Sequence, residues 1–155
     1  MTKYLKLIAL MAAAAFAAIA IYISVVEQPA RLLLEPQAAL MQWASGFPAA
    51  MKIQGGLALF CAALGGWLWY RTRNWLWLIG AALAVANWPF TLIWLMPLND
   101  TLLTTPATQA GASTRALLVN WGQLHAVRTA LGVAAAIILA LAMLRDENRD
   151  LHHAK

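Results

Sequence analysis

The sequence predicts an all-α fold: an integral membrane four-helix bundle with a kinked third helix and a long outer loop after the first helix. Hydrophobic residues make up 63% of the 155 residues and charged residues only 11%, whereas soluble domains average roughly 45–50% and about 25%. A soluble domain of this size buries only roughly 60–70% of its chain surface, too little to hide so much apolar surface. The chain is therefore expected to form one membrane domain, residues 1–155.

Four segments are long and apolar enough to cross a bilayer core of roughly 30 Å, which takes about 20 residues of helix. They cover about residues 5–26, 53–70, 75–97 and 117–144, followed by a cytoplasmic tail, 145–155. Short connections between paired spans predict antiparallel neighbours in a bundle. The first span also resembles a signal peptide, with Lys3 and Lys6 before an apolar run. Because that run continues past the usual length of about 7–15 residues, an uncleaved helix is expected.

The basic residues predict the orientation, because cytoplasmic segments are enriched in Lys and Arg. Seven are assigned to the side of the termini and four to the other side: Lys3, Lys6, Arg71, Arg73, Arg145, Arg149 and Lys155 against Arg31, Lys52, Arg115 and Arg128. A multi-pass protein of the cell membrane with both termini in the cytoplasm is expected. Because these residues are scattered singly, no nucleic-acid partner is expected. The single cysteine, Cys61, excludes a disulfide framework and a thiol metal cluster.

Polar residues of three spans collect near the outer membrane boundary. Counting 1.5 Å per helical residue from the cytoplasmic end of each span places six of them at depths of about 24 to 36 Å: Ser24, Glu27, Thr91, Asn99, His125 and Arg128. By the same count, the cytoplasmic half of the bundle has almost none. A polar group in the hydrocarbon costs a few kcal/mol unless it has a partner. Four of these side chains, Glu27, Asn99, His125 and Arg128, are predicted to meet in one outer-leaflet cleft.

The fourth span has the sharpest pattern. Trp121, His125 and Arg128 are spaced i, i+4 and i+7 and therefore share one helix face. An arginine inside the boundary must extend to water or find a carboxylate, and Glu27 is the nearest carboxylate by depth. The alternative is a snorkelling Arg128 with His125 as an interfacial hydrogen-bonding group.

Pro89 predicts a kink in the third span, because proline cannot donate the backbone hydrogen bond that closes the preceding turn. Asn87 and Thr91 lie beside it and would line a cleft opened by the kink, unless the kink serves packing alone. Pro97 and Asn99 are expected to end this helix.

The outer loop, residues 29–50, is long for a chain of this size. Its apolar stretches 30–34 and 38–43 are expected to lie in the membrane interface as short helices. They would serve as an anchor or as a lid over the cleft.

Small residues repeat at four-residue spacing on the second and fourth spans, a pattern that lets helices approach closely in lipid. Packing within the bundle is the expected role and homo-oligomerisation the alternative. The residues are Ala58, Ala62 and Gly66, and Gly132, Ala136 and Ala140.

Three parts of the chain together resemble the anthrone oxygenase-like family of small membrane proteins. They are Ser24–Pro29 closing the first span, Pro89–Thr91 with Met96–Asn99 on the third, and Trp121–Arg128 on the fourth. Fungal relatives are implicated in oxidising anthrones to anthraquinones, and bacterial relatives mostly have no assigned substrate. The resemblance therefore implies the fold and the site more directly than the reaction.

The resemblance implies that a hydrophobic aromatic or polyketide-like substrate is bound or oxidised in the cleft. Neutral His125 would act as the base that deprotonates the methylene of an anthrone, and Arg128 would stabilise the developing oxyanion. A flat aromatic substrate would stack on tryptophan. The expected substrate-binding residues are Glu27, Thr91, Asn99, Trp121 and Trp94.

The sequence indicates no cofactor, and no ligand set for iron or copper is evident. A cofactor-independent oxygenase is therefore one expectation. The competing one is a non-enzymatic membrane protein that binds a lipid or quinone or scaffolds a partner complex. Besides the lipid bilayer, the expected partners are a hydrophobic small molecule and, as an alternative, a second copy of the chain.

Overall fold

The computed structural model describes residues 2–153 as four long helices. They are α1 (Thr2–Leu32), α2 (Pro36–Thr72), α3 (Trp75–Thr104) and α4 (Ala112–His153), with a 3₁₀ turn over Ala107–Gln109 before α4. Each helix packs mainly against the next, and α4 closes the ring against α1. The predicted all-α four-helix bundle is confirmed. Residues 154 and 155 of the expected tail lie outside the described residues.

All four helices are long and apolar enough to cross a membrane, and the bundle exposes large apolar side chains on its outer surface. Met11, Ile93 and Ile137, for example, are 62%, 60% and 55% exposed. A surface of this kind is stable in lipid and not in water. The chain is therefore a multi-pass membrane protein, and its orientation in the membrane stays a prediction from the basic residues.

The bundle has two distinct ends. The end with both described chain ends and the tight α2–α3 connection is called the terminal end. The opposite end, with the α1–α2 and α3–α4 connections, is called the loop end. Arg73 ends α2 in the left-handed conformation with φ 54°, and Asn74 caps α3 by accepting a hydrogen bond from the Leu76 backbone N–H at 3.2 Å. Side-chain acceptors of this kind satisfy N–H groups that the first helical turn leaves unpaired.

The expected outer loop is helical almost throughout, since only residues 33–35 separate α1 from α2. Helix α1 continues past the predicted boundary because Glu27 and Arg31, four residues apart, form a salt bridge at 2.6 Å. Pro36 begins α2, a position where its missing N–H costs nothing. Helix α3 likewise does not end at Pro97 and Asn99 but continues to Thr104. The expected tail is part of α4 as far as His153.

The terminal end contains a buried polar network, so the expectation that this half has almost no polar groups is wrong. Lys6 of α1 pairs with Asp146 of α4 at 2.8 Å. Asp146 also accepts hydrogen bonds from Asn74 Nδ2 at 2.8 Å and from Trp77 Nε1 at 3.0 Å. The network joins three helices, and its carboxylate lies in the segment that the sequence analysis assigned to a solvated tail.

Glycines let the helices approach closely inside the bundle. A Cβ atom at Gly132 would lie 2.3 Å from the ring of Phe16, and one at Gly80 would lie 2.5 Å from Leu139. By contrast, Gly66 has open space where a Cβ would be. The fourth-span repeat thus packs within the chain at Gly132, and homo-oligomerisation stays an untested alternative.

Candidate functional site

A cavity of about 90 Å³ lies in the loop-end half of the bundle and is lined by side chains of all four helices. It is bordered by the apolar cluster that contains Trp43, Leu95 and Trp121. Six of the residues selected from the sequence line it: Glu27, Thr91, Asn99, Trp121, His125 and Arg128. Trp94 does not, because its side chain is 53% exposed and stacks on Phe90 at 5.1 Å.

Two π-helical segments flank the cavity, Ile23–Glu27 on α1 and Thr91–Leu95 on α3. The first and last residues of both segments line it. Each segment is followed, after one intervening residue, by a proline, Pro29 or Pro97. Proline removes a backbone donor and crowds the carbonyl four residues earlier, and a wider turn relieves that conflict. Such π-turns are frequent at functional sites.

His125 is 2% exposed and lies in a chain of hydroxyl groups. Its Nδ1 is 3.0 Å from Ser24 Oγ, which is 2.8 Å from Thr129 Oγ1. Thr129 Oγ1 lies 3.2 and 3.1 Å from the backbone carbonyls of Ala20 and His125. Because a carbonyl oxygen can only accept, the one hydroxyl hydrogen of Thr129 is donated to one of these carbonyls. Ser24 then donates to Thr129 and accepts from His125 Nδ1–H. His125 is therefore the tautomer with its proton on Nδ1 and its lone pair on Nε2.

Trp121 fixes the other side of the imidazole. The two rings stack with centroids 4.8 Å apart and planes 21° apart. Trp121 Nε1 donates to Asn99 Oδ1 at 2.9 Å, and Trp43 contacts the indole edge-on at 6.0 Å. Trp121 and Asn99 therefore hold His125 in place, and the indole face against His125 is occupied.

Arg128 does not pair with Glu27, and the expectation that it does is wrong. Its Nη2 donates to Gln54 Oε1 on α2 at 3.1 Å, and the residue as a whole is 9% exposed. Glu27 instead forms a salt bridge with Arg31. The charge of Arg128 thus has a neutral partner, which leaves it available to an anionic group.

Arg31, one of the basic residues assigned to the outer side, is buried, with 3% exposure. Three of its nitrogens donate to side chains: Nη2 to Glu27 at 2.6 Å, Nη1 to Gln28 at 2.5 Å and Nε to Gln42. Its guanidinium carbon lies 5.5 Å from the centroid of the Trp121 ring. Arg31 therefore joins α1, α2 and α4 next to the cavity.

Three buried hydrogen-bond donors in the cavity lining have no partner among residues 2–153. They are Trp43 Nε1, Gln54 Nε2 and Arg128 Nε. Buried polar groups in proteins are nearly always paired, so three unpaired donors around one cavity are unusual. Each of these donors is of the kind that pairs with an electronegative oxygen such as a carbonyl or an oxyanion. Among the side chains that the structure describes, which exclude those of residues 150, 152 and 153, no three of His, Cys, Asp or Glu group as metal ligands.

Sequence reasoning missed Gln54, Trp43 and Arg31 for identifiable reasons. Gln54 lies 16 residues before Tyr70, a depth of about 24 Å by the same helical count, so extending that count to the second span would have found it. Trp43 and Arg31 fall in the segment interpreted as an outer loop. The i, i+4 spacing of Glu27 and Arg31 was the available signal that the helix continues there.

Comparison with known proteins agrees with this architecture. The family described as anthrone oxygenase matches residues 2–138, which include α1, α2, α3, the first part of α4 and every cavity residue. No curated protein and no solved structure matches the chain. The match covers most of the sequence, and the chain therefore belongs to the anthrone oxygenase family.

Proposed function

We propose that this protein oxidises the methylene of an anthrone-like aromatic substrate to a carbonyl with dioxygen, using His125 as the base and Arg128 to stabilise the oxyanion. One observation carries the proposal: the same cavity is lined by an imidazole and by three side chains with unpaired donors. A base beside an anion-binding site suits proton abstraction next to a carbonyl. Membership of the family supports this class of reaction.

The proposed reaction needs dioxygen as its only co-reactant. His125 Nε2 takes a proton from the methylene, and the negative charge develops on the carbonyl oxygen of the substrate. The carbanion gives an electron pair to dioxygen, a C–O bond forms, and the resulting peroxide takes up a proton. Loss of water then breaks the O–O bond and the remaining C–H bond. Anthrone and dioxygen thus yield anthraquinone and water.

The three donors are proposed to bind the carbonyl oxygen as it becomes an oxyanion. Arg128 Nε belongs to a charged guanidinium, and Gln54 Nε2 and Trp43 Nε1 add neutral hydrogen bonds. Donors fixed by the fold in a water-poor site stabilise a developing charge without reorganising. Removing one such donor lowers the rate by about 10²–10³-fold in enzymes with comparable sites.

The other residues selected from the sequence have supporting roles in this proposal. Glu27 holds Arg31, and Asn99 holds Trp121, as their hydrogen bonds indicate. The Thr91 hydroxyl donates to the Asn87 carbonyl at 2.7 Å, which leaves its oxygen free to accept from a substrate hydroxyl. We assign direct substrate contact to Thr91 and positioning to Glu27 and Asn99.

Turnover of anthrone by the protein purified in detergent tests the proposal. We expect oxygen uptake and anthraquinone formation in a 1:1 ratio, above the rate of anthrone alone in the same detergent. Gln54→Leu removes one unpaired donor with little change in side-chain volume and should slow turnover by about tenfold or more. A wild-type rate equal to that of the protein-free sample would overturn the proposal.

A quinone-binding protein without turnover is the second candidate, because the three unpaired donors suit a stable quinone carbonyl as well as an oxyanion. In that case anthraquinone would bind to the protein and anthrone would be consumed only at the protein-free rate. Gln54→Leu would then weaken anthraquinone binding, and no variant would alter oxygen uptake.

A further inference from the structure

The cavity alone is small for a three-ring substrate. Its volume is about 90 Å³, whereas pockets that hold drug-sized ligands measure about 300–1,000 Å³. A groove of about 290 Å³ lies beside it between α2 and α3. Met51, Thr91 and Arg128 line both spaces. The groove therefore adjoins the cavity at the residue proposed to bind the reacting oxygen.

The groove lies on the outer surface of the bundle, where the membrane-spanning helices face lipid. Trp88 and Leu92 in its lining are 38% and 52% exposed. Gly55 and Gly56 form its α2 side, and a Cβ at Gly56 would have no heavy atom within 4 Å. A hydrophobic molecule dissolved in the bilayer can reach this groove without passing through water.

Trp88 provides a fixed aromatic surface in the groove. Its Nε1 donates to the Gly55 carbonyl at 3.2 Å. Gly55 packs against the ring, since even a Cβ at this position would lie 3.4 Å from the indole, in van der Waals contact. A tryptophan whose ring is held in this way offers its face to a planar aromatic ring.

Two buried polar groups show that the groove is not built for alkyl chains alone. Asn87 is 2% exposed and its Oδ1 has no partner among residues 2–153, and Arg128 Nε has none either. Both residues line the groove. Burying unpaired polar atoms against hydrocarbon costs about 1–3 kcal/mol each. A hydroxyl group on the ligand would donate to Asn87 Oδ1, and a carbonyl or hydroxyl oxygen would accept from Arg128 Nε.

We propose that the groove between α2 and α3 binds the ring system of a planar, oxygen-bearing aromatic substrate that arrives laterally from the bilayer. The rings lie against Trp88, and the reacting edge extends past Arg128 into the cavity. This inference rests on the proposed function, because it identifies where the bulk of that substrate is held.

Filling the groove after folding tests the inference. Gly56→Cys is purified in detergent and modified with a bulky aromatic maleimide, and Gly66→Cys is the matched control. Both glycines are on α2 and have open space around the Cβ position, but only Gly56 lines the groove. The native Cys61 is 1% exposed and should remain unmodified. Anthraquinone binding is measured by quenching of tryptophan fluorescence, and anthrone turnover by oxygen uptake.

We expect modification at position 56 to weaken anthraquinone binding and to lower kcat/KM for anthrone by tenfold or more, and modification at position 66 to change neither. Equal affinity and turnover before and after modification at position 56 would overturn the inference and leave the proposed function intact. Loss of a co-purified phospholipid with unchanged anthraquinone affinity would also overturn it, because the occupant would be lipid. Failure of the unmodified protein to bind anthraquinone and to oxidise anthrone would overturn both proposals.

Discussion

Arg31 and Arg128 border the same cavity, yet their hydrogen bonding is very different. Arg31 donates to three side chains, one of them a carboxylate, whereas Arg128 donates to one neutral amide and keeps Nε unpaired. A cation whose three nitrogens all donate within the protein stabilises the fold. A cation with an unused donor suits a ligand.

This difference predicts opposite effects of two matched substitutions. Arg31→Met removes the charged partner of Glu27, which keeps only the hydrogen bond from Gln42 Nε2 at 3.1 Å, and should lower the free energy of unfolding by about 3 kcal/mol, the low end for pairs that lose one member. Arg128→Met leaves no carboxylate unpaired, so it should cost only about 1–2 kcal/mol while turnover is lost. Unfolding in detergent beside the oxygen-uptake assay measures both. A folded, active Arg128→Met protein would refute the role of Arg128.

Arg128 lines the cavity, as its depth along the helix predicts, but the predicted partner, Glu27, is wrong. Depth along a helix can be counted from a sequence, whereas the rotation of one helix against another cannot. Glu27 and Arg31 are on the same helix and pair locally, which takes Glu27 away from Arg128. Depth alone predicts that loss of Arg128 destabilises the fold. The hydrogen bonds predict this effect for loss of Arg31 instead.

Ser24 is expected to act on His125 by fixing its tautomer. Ser24→Ala removes the acceptor for Nδ1–H, so part of the imidazole population should carry its proton on Nε2 and lose its basic site. We expect kcat for anthrone to fall by about tenfold, which is a fraction of the 10²–10⁴ that a general base contributes, with anthraquinone affinity unchanged. Ser24→Thr keeps a hydroxyl and should restore most of kcat. Equal losses in both variants would point to packing instead.

At the scale of elements, the π-helical segments explain why α1 and α3 continue past their prolines. The sequence predicts a kink at Pro89 and the end of the helix at Pro97. The structure has a widened turn between the two prolines, and the helix continues past Pro97 to Thr104. A sequence pattern reveals that a proline disturbs backbone hydrogen bonding; whether the helix breaks or widens depends on the packing around it.

Helix contact at Gly132 provides a prediction about packing. Gly132→Ala places a methyl group against Phe16 and should lower the free energy of unfolding by about 1–3 kcal/mol, as in other overpacked cores. Gly66→Ala has free space and should be neutral or stabilise by up to about 1 kcal/mol, because alanine favours helix. Thermal melting of both variants in detergent makes the comparison. If both melt alike, the close approach of α1 and α4 is not required.

At the scale of the whole molecule, the two ends of the bundle have different tasks. The loop end contains the cavity and its unpaired donors, and the terminal end contains a network in which Lys6 and Asp146 are paired and buried. Composition and hydropathy were sufficient to predict four membrane helices, because those properties follow from the lipid solvent. They were insufficient for Asp146, since a charged residue after a span looks solvated until its partners are known.

The network at the terminal end should determine much of the global stability. Asp146→Ala leaves Lys6 buried without a partner and should lower the free energy of unfolding by about 3–5 kcal/mol. Glu147→Ala, the adjacent acidic residue, should change it by less than about 0.5 kcal/mol. Anthraquinone affinity of folded Asp146→Ala protein should equal that of the wild type, because the network is remote from the cavity. An equal loss of stability in Glu147→Ala would show that negative charge at this end of the bundle, and not the hydrogen-bonded network, determines the stability.

The effect of His125→Ala on anthrone turnover tests the central claim, that the loop-end cavity is a catalytic site, most directly. The substitution removes the base and leaves the donors of Gln54 and Trp43 in place, and we expect the protein to remain folded. The account predicts that kcat falls by about 10²–10⁴-fold while the affinity for anthraquinone changes by less than about threefold. A folded His125→Ala protein that consumes oxygen with anthrone at the wild-type rate would contradict it.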